Sequence, residues 1–247
     1  MTDLSGRTAL VTGGSRGIGR ATSLSLAKAG ARVIVHYGTS VGEAESVVEA
    51  IRSAGGAADT VGADLNSSAG PSLLAEQIGQ LVQRLDIVVA NAGTGGASSI
   101  ADQQLDHFDR MYAVNVRAPF FLVQKLLPLL GEGSSIVVIT SLAARAVVGD
   151  LSAYAATKGA AETMVRHFAS KLGGQGIRVN ALAPGVVDTE ISSFTKTECG
   201  RDYALGLQVL KRIATPEDIA PVVRFLVSDD ARWITGASIA VDGGSKL

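Results

Sequence analysis

Tyr154 and Lys158 are four residues apart, and Ser141 precedes Tyr154 by thirteen residues. Residues four apart on a helix lie on the same face, so this phenol and this ammonium can share one reacting centre. A neighbouring ammonium favours the phenolate and is therefore expected to lower the tyrosine pKa from about 10. A tyrosine and a lysine with this spacing, and without other motifs, more often lie on the exposed surface of a helix. With Ser141 to hold a substrate oxygen, the three residues predict general acid–base catalysis.

A glycine-rich segment from Thr12 to Gly19 follows the first apolar run and leads into an amphipathic stretch. At a turn between a strand and a helix, backbone N–H groups and the helix dipole favour an anion, and glycines allow it to come close. The segment therefore predicts a dinucleotide pyrophosphate site. Its TGxxxGxG spacing departs from GxGxxG, and the glycines alone would also suit an ordinary tight turn.

The residues after the second apolar run indicate which nucleotide is preferred. NAD-binding proteins usually have an acid there for the ribose 2′-hydroxyl, whereas this chain has a polar, uncharged segment, 36–40, with the sequence HYGTS. Arg16 in the glycine-rich segment offers a positive charge for a 2′-phosphate, although it could also be a solvated loop charge. We therefore expect NADP(H) to be the preferred cofactor, with NAD(H) as the alternative.

The composition excludes several classes of protein. The 247 residues are 47% hydrophobic and 18% charged with a net charge of −1, so we expect no nucleic-acid or membrane partner. The single cysteine, Cys199, and the scattered His36, His107 and His167 predict neither a disulfide nor a metal site. Without a signal segment or an apolar run of roughly 20 residues, a cytoplasmic protein is expected.

Short apolar runs alternate with amphipathic stretches along the whole chain, which is typical of βαβ units around a parallel sheet. The predicted strands are Thr8–Val11, Arg32–His36, Thr60–Gly62, Ile87–Ala90, Ile136–Thr140, Arg178–Ala183 and Ser238–Val241. The predicted helices are Gly17–Ala29, Val41–Ala54, Pro71–Leu85, Gln103–Leu130, Ala153–Gly173 and Pro216–Val227. We expect one domain over residues 1–247. Residues 186–214, called the lid segment below, are expected to form a mobile substrate lid.

The ordered set of motifs resembles the classical short-chain dehydrogenase/reductase family. The motifs are the glycine-rich segment, Asn91-Ala92-Gly93, Asn115, Ser141, Tyr154, Lys158 and the closing VDGG at 241–244. The resemblance implies a three-layer, doubly wound Rossmann fold, an α/β sheet of seven parallel strands in the order 3-2-1-4-5-6-7. It also implies assembly as a homotetramer, with a dimer as the alternative.

The resemblance also assigns catalytic roles. It implies that Tyr154 exchanges a proton with the substrate carbonyl or alcohol, that Lys158 holds the nicotinamide ribose, and that Ser141 orients the substrate oxygen. Asn115 would anchor a water in a proton relay. The sequence adds an argument of its own, because Pro119 has no N–H and so deprives the Asn115 carbonyl of its usual helical partner.

The resemblance also implies which residues contact each part of the bound dinucleotide. Ser40 would contact the 2′-phosphate, while Asp64 and Leu65 would flank the adenine. The remaining contacts would come from Tyr154, Lys158, Gly13, Ser15, Arg16, Gly17, Ile18, Gly19, Asn91, Ala92, Gly93, Pro184, Gly185, Val187 and Thr189.

Three functions remain open. The chain is closest in appearance to 3-oxoacyl-acyl-carrier-protein reductases, but residues 126–133 lack the basic side chains that an acidic carrier protein requires, although Lys125 and Lys171 could contribute. A reductase or dehydrogenase for another small carbonyl or alcohol is the broader alternative. A non-catalytic NADP(H) sensor is the third, and it is disfavoured because Tyr154 and Lys158 are both retained.

Overall fold

A computed structural model describes residues 3–246 of the chain. Seven strands form a single sheet: β1 (Thr8–Val11), β2 (Arg32–Tyr37), β3 (Ala58–Gly62), β4 (Ile87–Ala90), β5 (Ser135–Ile139), β6 (Arg178–Pro184) and β7 (Ser238–Val241). The strands are all parallel, in the order β3-β2-β1-β4-β5-β6-β7. The predicted doubly wound Rossmann sheet is therefore confirmed.

Eight α-helices accompany the sheet: α1 (Gly17–Lys28), α2 (Val41–Ser53), α3 (Gly70–Leu81), α4 (Leu105–Tyr112), α5 (Ala118–Leu126), α6 (Ser152–Leu172), α7 (Glu198–Leu207) and α8 (Pro216–Val227). Apolar residues of α1, α2 and α8 pack on one face of the sheet, and those of α3, α5 and α6 pack on the other. Within residues 3–246, none of the helices combines the length and the apolar character needed to cross a bilayer.

The strands are apolar throughout because both of their faces are covered. In β1, Leu10 belongs to the core beneath α3, α5 and α6, whereas Ala9 and Val11 belong to the core beneath α1, α2 and α8. In β2, Ile34 and Val35 divide in the same way. Successive side chains of a strand point to opposite faces, so each strand contributes to two cores.

The predicted helix Gln103–Leu130 is not one regular α-helix. It begins at Leu105, changes to a π-helix over Ala113–Arg117, continues as α5 and ends in a 3₁₀ turn over Leu127–Leu129. In the π-helix the N–H of Ala118 bonds to the carbonyl of Ala113, five residues back. Pro119 gives the physical reason, since it cannot supply the N–H that the regular pattern requires.

Two other boundaries differ from the sequence prediction by two residues or more. Helix α3 ends at Leu81 rather than at Leu85, since Val82 has an extended backbone. Strand β3 begins at Ala58, two residues early, because its pairing with β2 begins there, opposite Val33. Periodicity alone does not locate such ends, because they depend on the neighbouring element.

The lid segment contains regular structure that the sequence prediction missed. A 3₁₀ segment covers Glu190–Lys196 and α7 follows it, with the hydroxyl of Thr197 accepting a hydrogen bond from the N–H of Gly200. Only Ala204 of α7 is buried. With a single buried residue, α7 has no apolar stripe in contact with the core, and it lies in a segment whose Ser, Thr and Gly content predicted a loop.

Candidate active site

The candidate residues follow the carboxyl ends of neighbouring strands. The glycine-rich segment follows β1, Asn91 follows β4, Ser141 follows β5, and Gly185 follows β6. In a parallel sheet these ends share one edge, where open α/β sheets bind their ligands. The topology therefore brings together residues that are up to 172 positions apart in the chain.

Tyr154 and Lys158 lie on the first two turns of α6, and the ammonium nitrogen of Lys158 is 5.6 Å from the centroid of the Tyr154 ring. Lys158 is buried, and its Nζ donates a hydrogen bond of 2.9 Å to the carbonyl of Ile139 at the end of β5. The hydroxyl of Ser141 interacts with the Tyr154 phenol and accepts a hydrogen bond from the N–H of Ala143. The three predicted residues thus lie together.

Burial controls the proton affinities of this group. Desolvation raises the pKa of Tyr154, and the hydrogen bond with Ser141 opposes that rise. Desolvation also lowers the pKa of Lys158 to about 8. The expectation that the pKa of Tyr154 lies below its ordinary value is therefore wrong for this structure, because removal from water penalises the phenolate more than the hydrogen bond with Ser141 stabilises it.

Asn115 connects the π-helix to both sides of the site. Its Nδ2 donates to the carbonyl of Thr94 at 2.8 Å and to the hydroxyl of Thr157 at 3.0 Å, and its Oδ1 accepts from the N–H of Thr94 at 2.9 Å. Thr157 in turn donates to the backbone carbonyl of Tyr154 at 2.7 Å. Sequence reasoning missed Thr94 and Thr157, because their role depends on Asn115, which lies at least 21 residues away in the chain.

The glycine-rich segment is tightly folded against the loop after β4. A Cβ on Gly19 would lie 2.0 Å from the carbonyl oxygen of Gly13, and Gly13 itself has a φ of +60°. Asn91 holds the turn, because its Nδ2 donates to the carbonyls of Thr12 at 2.9 Å and Gly13 at 3.1 Å. The Thr12 hydroxyl, which sequence reasoning also missed, accepts from the N–H groups of Asn91 and Ala92.

The start of α1 is suited to a phosphate. Among the described residues, no side chain caps this helix and its first turn contains no acid. Ser15 is buried, and Ile18 is packed partly against the core. Free N–H groups at a helix start, next to glycines that admit close approach, match the requirements of a dinucleotide pyrophosphate.

Arg16, predicted to contact a 2′-phosphate, forms an ion pair with Glu190 of the lid segment at 2.6 Å. Both side chains are more than half exposed. Nearby, a Cβ on Gly17 would contact the methyl group of Thr189 at 3.4 Å. The glycine-rich segment and the lid segment therefore touch at two points, and Thr189 lies beside the proposed phosphate site.

The predicted adenine contacts differ in exposure. Asp64 is exposed, and its carboxylate accepts a hydrogen bond from the N–H of Asn66. Leu65 is only 7% exposed and packs into the core with Val61. Because most of the Leu65 side chain is packed in the core, the expected adenine contact would come mainly from the backbone of Leu65. Ser40 lies just before α2 and is partly exposed.

The predicted nicotinamide-side loop is fixed against the C-terminal segment. The N–H of Gly185 donates to the carbonyl of Val241, and a Cβ on Gly185 would lie 2.8 Å from the Cα of Asp242. Val187 forms an isolated β-bridge with Ala214. The Asp242 carboxylate pairs with Arg145, which follows the segment that begins at Ser141.

The loop after β4 lies directly against Tyr154. A Cβ on Gly95 would lie 3.0 Å from the Tyr154 ring, and a Cβ on Gly96 would lie 2.7 Å from the His107 ring. Across the site, Leu142 and Ala143 are buried. The substrate side is therefore bounded by small or apolar groups, with the reactive oxygens of Ser141 and Tyr154 between them.

Comparison with known proteins supports the same assignment. A family model described as enoyl-(acyl carrier protein) reductase matches residues 13–246. The short-chain dehydrogenase/reductase FrzI of Cladobotryum sp is 39% identical over 245 residues, covering 96% of this chain and 95% of FrzI. The versicolorin reductase stcU of Emericella nidulans is 38% identical over 255 residues, covering 98% of this chain and 96% of that protein.

Among solved structures, the angucycline C-6 ketoreductase LanV with bound NADP has a TM-score of 0.94 and 41% sequence identity, over 98% of this chain and 96% of LanV. The fold, the order of the motifs and the similarity over the whole chain all indicate the same family. The chain belongs to the short-chain dehydrogenase/reductase family.

Proposed function

We propose that the protein is an NADP(H)-dependent oxidoreductase that interconverts a carbonyl and a secondary alcohol. The observation that carries this proposal is the grouping of Ser141, Tyr154 and Lys158 beside a glycine turn that is suited to a phosphate. When bound, the nicotinamide supplies or accepts the hydride. The protein's own residues orient the substrate and manage the proton.

In the direction of reduction, Tyr154 donates the proton to the substrate oxygen, and its raised pKa keeps the phenol protonated for that step. Ser141 holds the same oxygen through its hydroxyl. Lys158 places a positive charge next to the phenol as the proton leaves, and it holds the nicotinamide ribose. Asn115 keeps Thr94 and Thr157 in place on either side of this group.

The cofactor preference rests on two features of the chain and one relative. No acid follows β2 at residues 36–40, and Arg16 lies on the glycine-rich segment. LanV was solved with NADP bound. We propose that NADP(H) binds along the glycine-rich segment, Asn91-Ala92-Gly93 and the loop from Pro184 to Thr189, with Ser40 and Arg16 at the 2′-phosphate. NAD(H) is the weaker alternative.

For the substrate, we propose a ketone other than a carrier-protein thioester. The relatives are a versicolorin reductase and an angucycline C-6 ketoreductase, and the site is bounded by small or apolar groups that suit such a carbonyl. A panel of ring ketones, small ketones, sugars and acetoacetyl thioesters, followed by NADPH absorbance, tests this. Turnover of the thioester alone would favour the carrier-protein alternative.

The reaction itself is tested with Tyr154→Phe, which removes the transferable proton and retains the ring. The variant should lose most of its turnover, and its NADPH dissociation constant should stay near the wild-type value. Both quantities can be measured by NADPH absorbance and fluorescence. Full activity of the variant on any substrate that the wild type reduces would contradict the proposed role.

We also propose a single domain over residues 1–247 in which the lid segment moves over the substrate. We place the protein in the cytoplasm, where an exposed free thiol such as Cys199 stays reduced and where an NADPH-dependent enzyme finds its reductant. Limited proteolysis with and without NADPH tests the lid segment, because cofactor binding should protect it from cleavage.

A further inference from the structure

His36 is a polar residue inside an otherwise apolar strand. It is the fifth residue of β2 and is 2% exposed, so its imidazole is removed from water almost completely. A buried polar ring is costly unless both of its nitrogens have partners. In the sequence, His36 begins the segment 36–40, where NAD-binding proteins usually have an acid.

Both nitrogens of the His36 ring have backbone partners. Nδ1 accepts a hydrogen bond of 3.1 Å from the N–H of Gly13, and Nε2 lies 3.0 Å from the carbonyl oxygen of Ala63. An N–H can only donate, so Nδ1 is unprotonated and Nε2 carries the hydrogen that bonds to Ala63. Burial lowers the pKa of His36 to about 4, which keeps the ring in this neutral form at neutral pH.

The two partners lie on different loops. Gly13 belongs to the glycine-rich segment after β1, and Ala63 directly precedes Asp64 in the loop after β3. Strand β2 lies between β1 and β3 in the sheet, so the imidazole spans the strand that separates these loops. The backbone of β2 makes its own bonds to both, from Gly14 N–H to His36 and from Ala63 N–H to Tyr37. Those bonds require no particular side chain, whereas the imidazole bonds require His36.

We propose that His36 is a positioning residue for the adenosine half of the cofactor site. Its ring sets the separation between the glycine turn that would hold the phosphates and the loop of Asp64 that would border the adenine. This inference rests on the proposed cofactor site, but not on the catalytic roles of Ser141, Tyr154 and Lys158. His36 touches neither the cofactor nor the substrate in this scheme, because its ring is enclosed between the two loops.

Three variants distinguish the contributions of the two His36 hydrogen bonds to cofactor binding. His36→Leu removes both of them. His36→Asn places an amide oxygen near the position of Nδ1 and can still accept from Gly13, while His36→Gln reaches the position of Nε2 and can still donate to Ala63. The matched control is His167→Leu, a change of the same type at an exposed position on α6. The probes are 2′,5′-ADP, which lacks the nicotinamide, and NADPH, both titrated calorimetrically.

We expect His36→Leu to weaken the binding of 2′,5′-ADP and of NADPH by about tenfold, because the variant loses both buried hydrogen bonds of the imidazole. The kcat at saturating NADPH should stay within about twofold of wild type, because the reacting groups are untouched. His36→Asn and His36→Gln should each recover part of the affinity, and His167→Leu should bind as wild type does.

Wild-type affinity in His36→Leu would overturn the proposal, even if its melting temperature fell. If that variant does not fold, Asn and Gln variants with unchanged 2′,5′-ADP affinity would overturn it as well. Failure of the wild type to bind NADPH would instead refute the proposed function, and with it this inference. If the wild type binds 2′,5′-ADP normally but its turnover does not depend on Tyr154, the catalytic assignment is refuted and the role of His36 is not affected.

Discussion

Lys158 is a buried ammonium whose pKa falls to about 8, because its surroundings exclude water. Its partner, Tyr154, is shifted in the opposite direction, since burial disfavours the phenolate. The two groups therefore titrate in different ranges, with the lysine losing its proton first. In the proposed mechanism, proton donation by Tyr154 depends on the positive charge of Lys158, which would stabilise the phenolate left behind.

The rate of carbonyl reduction should consequently have an alkaline limit set by Lys158. Below about pH 8 the ammonium is charged and kcat/KM should be constant; above it the amine becomes neutral and kcat/KM should fall, although Tyr154 is still protonated. A pH–rate profile from pH 6 to 10 measures this, with the melting temperature recorded at each pH as control. A value of kcat/KM that stays constant up to pH 10 would rule out the assignment of this alkaline limit to Lys158.

At the scale of elements, the contact between the glycine-rich segment and the lid segment is electrostatic and steric. Arg16 pairs with Glu190, and Gly17 lies against Thr189. In the proposed cofactor site, a nucleotide phosphate at Arg16 would compete with the Glu190 carboxylate. Cofactor binding would then be coupled to the position of the lid segment through this exposed ion pair.

Removing each partner of that pair should have opposite effects. Glu190→Gln frees Arg16 and should tighten NADPH binding by up to about fivefold at low salt, since an exposed pair contributes at most about 1 kcal/mol. Arg16→Ala should instead weaken NADPH binding and so reduce the difference in affinity between NADPH and NADH. The control is Glu198→Gln, at another acid of the lid segment. Titrations at fixed ionic strength measure these affinities, and an equal gain for NADH and NADPH in Glu190→Gln would be inconsistent with this model.

At the scale of the whole molecule, an aromatic cluster remains partly exposed on α5 and α6. The Phe120 ring lies 5.3 Å from the rings of both Phe121 and Phe168, and Phe120 and Phe121 are each about two-fifths exposed. Leu122 and Leu126 of the same helix are buried. The helix thus has a core-facing side and an aromatic outer side. This outer side would suit a subunit contact in the homotetramer that the family resemblance implies.

The assembly can be tested through that cluster. Sedimentation should give four times the chain mass for the wild type and a smaller species for the double variant Phe120→Asp, Phe121→Asp, because the charges prevent burial of the aromatic face. Ile100→Asp, at an exposed apolar residue outside the helices, should leave the mass unchanged. A monomeric wild type, or a tetrameric double variant, would refute this contact.

The strands, the glycine turn and the spacing of Tyr154 and Lys158 were predictable because they depend on local patterns, whereas the strand order followed from the resemblance to the family. Apolar runs specify strands buried on both faces, and four-residue spacing places two side chains on one helix face. The capping of α8 was predictable for the same reason: the N–H of Thr215 bonds to the carboxylate of Asp218, three residues on. Helix α7 was missed because it buries little. The π-helix was missed because Pro119 predicts a lost hydrogen bond at Asn115 but does not specify which backbone groups pair instead.

The sequence by itself thus determined the order of elements and the kinds of group that could react. Only the tertiary structure decided the proton affinities of Tyr154 and Lys158, the pairing of Arg16 with Glu190, and the role of His36 between Gly13 and Ala63. The physical reason is that desolvation and hydrogen bonding depend on which groups surround a residue. Those neighbours come from strands and loops that are distant in the chain and adjacent only in the folded sheet.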